Sequence, residues 1–186
     1  AAGTGSGAGA AIDAATLDRL ATGLESFRGS KRRSEILGEA GGVLYMDDYA
    51  HHPTAIRTTL EGFRACYPRR RIVVDFMSHT YSRTAALLDE FAGSFASADL
   101  VILHEIYASA REKYDGTVTG RQLADKAAAN QPAVRYFDKP ADAEPWLREN
   151  LRKGDLFVTM GAGDNWKLGR QLYEAARPAD TTGGSR

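Results

Sequence analysis

The chain has 186 residues, with 24 Lys+Arg against 24 Asp+Glu and 43% hydrophobic residues. This is a globular composition that excludes wholesale disorder, and a net charge of zero gives no electrostatic footing for nucleic acid or an anionic membrane as the main partner. The single cysteine, Cys66, excludes an internal disulfide, and no apolar run approaches the roughly 18 residues of a membrane span.

Ala1 to Ala11 is almost all Gly, Ala, Ser and Thr and reads as a flexible tail. It lacks the charged start and apolar core of a signal peptide, so a cytoplasmic chain is expected. Leu17, Leu20, Leu24 and Phe27 recur at helical spacing, and Gly29 would end that helix. From there the pattern is regular. Strand candidates are Val43–Met46, Ile72–Phe76, Leu100–Leu103, Val134–Phe137 and Leu156–Met160. Helices are expected between and after them: from Thr54 with Ile56, Leu60 and Phe63 on one face; with Leu87, Leu88, Phe91 and Phe95; over Gln122–Ala129; around Trp146 and Leu147; and over Trp166–Ala176. Ser34 to Gly42 reads as an extra antiparallel strand and turn. The apolar runs are continuous rather than alternating, which implies burial on both faces. The expected fold is α/β, a Rossmann-like open, mostly parallel sheet of five to six strands with helices on both faces.

In such a sheet, ligands bind beyond the carboxyl ends of the strands. The segments there are Asp47-Asp48-Tyr49-Ala50-His51-His52-Pro53-Thr54, Ser78-His79-Thr80-Tyr81-Ser82-Arg83-Thr84, His104 to Glu112, and Gly161-Ala162-Gly163-Asp164-Asn165. All four histidines lie in them. Each segment also has a plainer structural reading. The acids and Thr54 suit the capping of a helix that begins at Pro53. His79 suits a loop carbonyl, and Lys31-Arg32-Arg33 suits a solvated face. The functional reading of Arg83 is recognition of a carboxylate or phosphate by its planar guanidinium. Tyr107 and Arg111 are weaker candidates. The glycine-rich turn suits either close approach to a ligand or a tight turn. Cys66 carries no catalytic signature.

No Gly-x-x-x-x-Gly-Lys-Ser/Thr phosphate loop and no Gly-x-Ser-x-Gly elbow is present in these residues. Two readings from the residues alone stay open beside a ligase domain: a metal-dependent hydrolase using Asp47, Asp48, His51, His52 and His79, and a stand-alone nucleotide-binding module.

Phe27-Arg28-Gly29-Ser30-Lys31-Arg32-Arg33-Ser34-Glu35, Asp47 to Thr54, Ser78 to Thr84, Glu105 to Glu112 and Met160 to Asp164 together resemble the carboxy-terminal domain of Mur ligases. The Asp-Asp-Tyr-x-His-His-Pro-Thr segment resembles the branch that attaches the first residue, L-alanine, to UDP-N-acetylmuramate. The murein peptide ligases of cell-wall recycling are the near alternative. The resemblance implies residues 27–178 as this domain, residues 1–26 as a tail plus the last helix of a preceding central domain, and residues 179–186 as a disordered tail. It implies ATP and Mg2+ as cofactors, held mainly by the central domain, and the amino-terminal and central domains as partners. It implies an acyl phosphate that the amino acid's amine attacks, and a fragment inactive alone. By resemblance, Arg33 reaches the ATP phosphates and Asp48 lies near the ribose. Tyr49 and His51 line the amino-acid and acyl site. His79 and Arg83 hold the amino acid's carboxylate, and His51 and Arg83 carry the catalytic roles. Relatives commonly read His-Arg-Tyr where this chain has His79-Thr80-Tyr81, leaving Arg83 as the main carboxylate partner. No metal ligand is implied on this chain.

Overall fold

The computed structural model describes residues 13–26, 29–108, 112, 114, 116–131 and 133–178. The expected tails, Phe27 and Arg111 lie outside the described residues. The chain divides into two units, residues 1–30 and 31–186. In the first, α1 (Ala14–Ser26) is a single helix. Asp13 caps its start by accepting from the Thr16 amide at 2.7 Å. Leu17, Leu20 and Leu24 are exposed on it.

The second unit is built on six strands: β1 (Glu35–Ala40), β2 (Val43–Asp48), β3 (Arg71–Met77), β4 (Leu100–Leu103), β5 (Val134–Tyr136) and β6 (Asp155–Gly161). Their order across the sheet is β1-β2-β6-β3-β4-β5. β1 runs antiparallel to β2, and every other pairing is parallel. The extra antiparallel strand expected from Ser34 to Gly42 is therefore β1.

Strand periodicity sorts the side chains into two layers. Ile72, Val74 and Phe76 of β3 and Leu156, Val158 and Met160 of β6 pack on one face. That face meets Ile56, Leu60 and Phe63 of α2 (Pro53–Cys66), Phe91 of α4 (Leu88–Ala92) and Leu123 of α5 (Gly120–Ala128). Val73, Ile102 and Phe157 point the other way, toward Leu147 of α6 (Pro140–Asn150) and Leu168 and Leu172 of α7 (Trp166–Ala176). Phe76, Ile102 and Phe157 are wholly buried, each contributing about 1.5–3 kcal/mol of apolar burial. A sheet apolar on both faces needs the continuous apolar runs seen in the sequence.

Two helices depart from expectation. The segment carrying Leu87, Leu88, Phe91 and Phe95 is not one helix. It forms α3 (Tyr81–Ala86) and α4, separated by Leu87 at φ −120°, ψ 27°. α4 delivers Phe91 onto Phe76 at 5.8 Å, whereas Phe95 follows Gly93 and reaches Phe76 at 5.3 Å from beyond the helix. α5 starts at Gly120 rather than Gln122, because Thr119 and Gln122 form a reciprocal capping box. Gly120 is required there: a Cβ would lie 2.2 Å from the His104 carbonyl oxygen.

β6 sits between β2 and β3, so the chain leaves β3 and β6 toward opposite faces. In an open sheet, ligands bind beyond the carboxyl ends of strands at such a reversal.

Candidate functional site at the carboxyl edge of the sheet

Asp47 and Asp48 end β2 and, as neighbours in a strand, point to opposite faces. Asp47 is fully buried. It accepts from Arg32 Nε at 2.9 Å and from Thr159 Oγ1 at 2.9 Å. Burial pushes its carboxyl up, against the opposing pull of Arg32 and Thr159. Arg32 Nη2 also donates to the Gly161 carbonyl at 2.8 Å, so this guanidinium is committed to tying the chain entry to β2 and β6. Asp48 accepts from the Ser34 amide at 2.6 Å, from Ser34 Oγ at 3.2 Å and from the Ala50 amide at 2.7 Å. It shapes the turn that presents Tyr49 and His51.

Arg32 lies 5.0 Å and Arg33 5.8 Å from the centroid of the Tyr49 ring. His51 meets the same ring edge-on at 5.1 Å. His51 Nδ1 is 2.9 Å from the Tyr49 carbonyl oxygen. A carbonyl only accepts, so Nδ1 carries the hydrogen and donates it, and Nε2 is left free of this bond. His52 is different. It is the N-cap of α2, its Nδ1 3.4 Å from the Thr54 amide. Its role is the plain structural one.

The loop after β3 faces this cluster. His79 pairs with Tyr107 across an isolated parallel bridge, and their rings stack at 5.9 Å. Burial, then the charges of Arg83 and His51, hold His79 below the ordinary imidazole value, against the pull of Glu112. His79 thus lies within electrostatic reach of both Arg83 and His51. Arg83 Nη1 is buried and has no hydrogen-bond partner. An unpaired guanidinium nitrogen beside a neutral imidazole is prepared for an anion.

His104 is not part of this cluster. It is buried, with Nε2 2.8 Å from Asp75 Oδ2 and Nδ1 3.2 Å from the Phe137 carbonyl oxygen. Both neighbours accept, so both ring nitrogens donate. Burial opposes the imidazolium, but Asp75 and the Phe137 carbonyl outweigh it and raise the value. Asn165 Nδ2 donates to the Asp75 carbonyl at 2.8 Å, to Asp75 Oδ1 at 2.9 Å and to the Met160 carbonyl at 3.2 Å. This network locks the Gly161–Asn165 turn onto β3. Gly161 itself, at φ 117°, passes so close to β3 that a Cβ would lie 2.3 Å from the Met77 carbonyl oxygen.

The sequence profile of the family described as Mur ligase, glutamate ligase domain, matches residues 32–163. The chain belongs to the Mur ligase family. A UDP-N-acetylmuramate–L-alanine ligase of Treponema pallidum is 60% identical over 150 residues, covering 81% of this chain and 31% of that protein. The corresponding ligase of Desulfitobacterium hafniense is 45% identical, covering 83% of this chain and 34% of that protein. Among solved structures, the UDP-N-acetylmuramate-alanine ligase MurC of Thermotoga maritima superposes with a TM-score of 0.67 at 26% identity, covering 87% of this chain and 35% of that one. A murein peptide ligase of Psychrobacter arcticus gives 0.64 at 28% identity, covering 83% and 32%. The chain spans about a third of the length of the curated relatives it matches.

Within this Mur ligase domain, ring contacts join Arg33, Tyr49 and His51 of the expected residues, and His79, within electrostatic reach of His51 and Arg83, follows β3. Asp48 stands beneath them as a turn-former. Asp75 escaped the sequence reading, which placed Asn165 and Glu112 at the sheet edge without a role. Asp75 sits inside an apolar strand, and its partners are distant in the chain. Among the described residues, no three of His, Cys, Asp and Glu are placed to hold a metal ion. Asp47, Asp48, His51, His52 and His79 therefore do not form the centre that a metal-dependent hydrolase would need. Among the same residues, no helix is long and apolar enough to cross a membrane.

Proposed function

We propose that this chain is the carboxy-terminal domain of a cytoplasmic ATP-dependent ligase that joins L-alanine to UDP-N-acetylmuramate through an acyl phosphate. The observation that carries the reading is the buried, unpartnered Arg83 Nη1 next to a neutral-leaning His79, in a chain 60% identical to a ligase of that name. Arg83 and His79 receive the amino acid's carboxylate. His51, with Nδ1 fixed on the Tyr49 carbonyl, turns Nε2 toward the amine and accepts its proton as the acyl bond forms. Tyr49, edge-on to His51, lines the amino-acid and acyl site with it, and Arg33 faces the ATP phosphates. Asp48 lies near the ribose, although the Ser34 and Ala50 donors already occupy much of its carboxylate.

Among the described residues, no three of His, Cys, Asp and Glu are gathered to hold a metal ion. Magnesium and the ATP phosphate loop belong to the central domain, and the UDP-sugar to the amino-terminal domain. The isolated chain is accordingly inactive. A full-length protein containing this chain should release phosphate only with ATP, magnesium, UDP-N-acetylmuramate and L-alanine together. Release that ignores L-alanine would overturn the assignment. The likeness to a solved murein peptide ligase supports a second reading, in which a ready-made peptide replaces L-alanine. Offering both acceptors in parallel separates the two.

A further inference from the structure

α3 carries Arg83, yet nothing local caps its start. Its N-cap residue, Thr80, makes no side-chain cap bond and sits at φ 72°, a left-handed conformation costly for a β-branched residue. The first amides of a helix have no partner within it. Here they are taken from 30 residues downstream. The Tyr81 amide donates to Glu112 Oε2 at 2.7 Å, and the Ser82 amide donates to Glu112 Oε1 at 2.9 Å. The same stretch of chain grips the loop twice more. The Tyr107 amide donates to the Ser78 carbonyl at 2.8 Å, and the Thr80 amide donates to the Tyr107 carbonyl at 3.2 Å. The Tyr114 ring lies 5.0 Å from that of Tyr81.

The chemistry of this cap is specific. Both carboxylate oxygens accept from backbone, so Glu112 spends its charge at the helix start and leaves Arg83 Nη1 unpaired. Hydrogen bonds from Ser82 and Tyr81, with His79 nearby, hold its carboxyl below the usual range. A glutamine could not reproduce the contact, because its NH2 would face an N–H.

We propose that Glu112 is a positioning residue for carboxylate recognition: by capping Tyr81 and Ser82 it fixes the helix that aims Arg83 at the acceptor's carboxylate. The proposal rests on the ligase reading of the His79–Arg83 loop. The test has two arms. In the full-length ligase, E112Q should raise KM for L-alanine about tenfold with kcat changed less than twofold, as expected for a lost helix cap that only orients a binding group. E112D, which keeps an acceptor-only carboxylate, should recover part of that loss. In an Arg83→Ala background E112Q should have no further effect on KM, because Glu112 acts through Arg83. In the 186-residue chain, amide hydrogen exchange should show Tyr81 and Ser82 protected, and E112Q should expose both.

Unprotected Tyr81 and Ser82 amides in the wild type would overturn the proposal. So would an unchanged KM in E112Q, or a KM change that persists at full size without Arg83. A full-length protein lacking L-alanine-dependent turnover would sink the ligase reading instead, and the exchange arm would then decide the placement of Glu112 by itself.

Discussion

Replacing Arg83 by alanine separates a binding role from a structural one. On the folding side the change is small. Nη1 is buried without a partner, and an unpaired buried donor costs a protein about 1–3 kcal/mol. Its removal relieves that cost, while the lost contacts of the aliphatic stem offset the gain. The net effect on stability should be within about 1 kcal/mol, or about 3 °C in Tm for a domain of this size. On the binding side Nη1 would form a charge-assisted bond to the amino acid's carboxylate, contributing about 1.5–3 kcal/mol. At 1.4 kcal/mol per decade, KM for L-alanine should rise roughly 10- to 150-fold. Arg83→Lys keeps the charge and loses the planar fork, so it should fall between. Phosphate release against L-alanine concentration gives KM, and a thermal melt gives Tm. A KM within twofold of wild type would refute the role. A Tm loss above about 8 °C would show that the unpaired nitrogen is not the spare group the geometry describes.

Three further outcomes follow from the same geometry. Arg83→Ala should also raise the titration midpoint of His79 part of the way toward the ordinary value, since burial, the larger cause, remains; an NMR titration that left the midpoint in place would contradict this. Gly161→Ala must place a Cβ 2.3 Å from the Met77 carbonyl oxygen at φ 117°, which should cost about 2–5 kcal/mol; a Tm within 2 °C of wild type would show that the turn is not pinned to β3. His104 is raised in the folded state, so its contribution to stability is fully present below its unfolded value of about 6.5 and is lost as pH rises through the higher folded value. Urea unfolding should therefore show stability declining over that alkaline window in the wild type, with His104→Gln flattening the decline. A slope identical in the two proteins would argue that the pair with Asp75 does not titrate with folding.

The strands were legible because a sheet buried on both faces leaves uninterrupted apolar runs, and α7 was legible from Trp166 to Ala176 because its amphipathic period is unbroken. The break at Leu87 was not, since Leu87, Leu88 and Phe91 satisfy helical spacing whether or not the axis continues. The loop cluster was legible from topology alone: His51, His79 and Arg83 all follow strands that end at one edge. The individual histidines were not sorted. His52 caps a helix and His104 is held in the core by Asp75, and only tertiary partners distinguish them from His51 and His79. Asp75 was invisible for the same reason. A buried carboxylate inside Ile72–Phe76 makes sense only once His104 and Asn165 are beside it. Glu112 lies some 30 residues from the helix it caps, too far for any local capping pattern to reveal.

The adjacent arginines of Lys31-Arg32-Arg33 show why charge runs resist interpretation by type. Arg32 is consumed by Asp47 and the Gly161 carbonyl, while Arg33 rests over the Tyr49 ring with its guanidinium at the surface of the site. Asp48, the nearest other acid on β2, is engaged by Ser34 and Ala50, and Glu112 is engaged by the amides of α3. Asp47, Asp48 and Glu112 are thus spent on backbone, Thr159 and Arg32, and Arg83 Nη1 is left buried without a hydrogen-bond partner. A chain with no net charge has in this way built a locally cationic edge. It did so by directing its carboxylates to structural donors rather than by adding basic residues. On the proposed function such an edge would receive a carboxylate at Arg83 and phosphates at Arg33, and its pull on them would be strongest with water excluded. Excluding water would take a second surface over the site, which the proposed ligase would supply from outside a chain that spans about a third of its relatives' length.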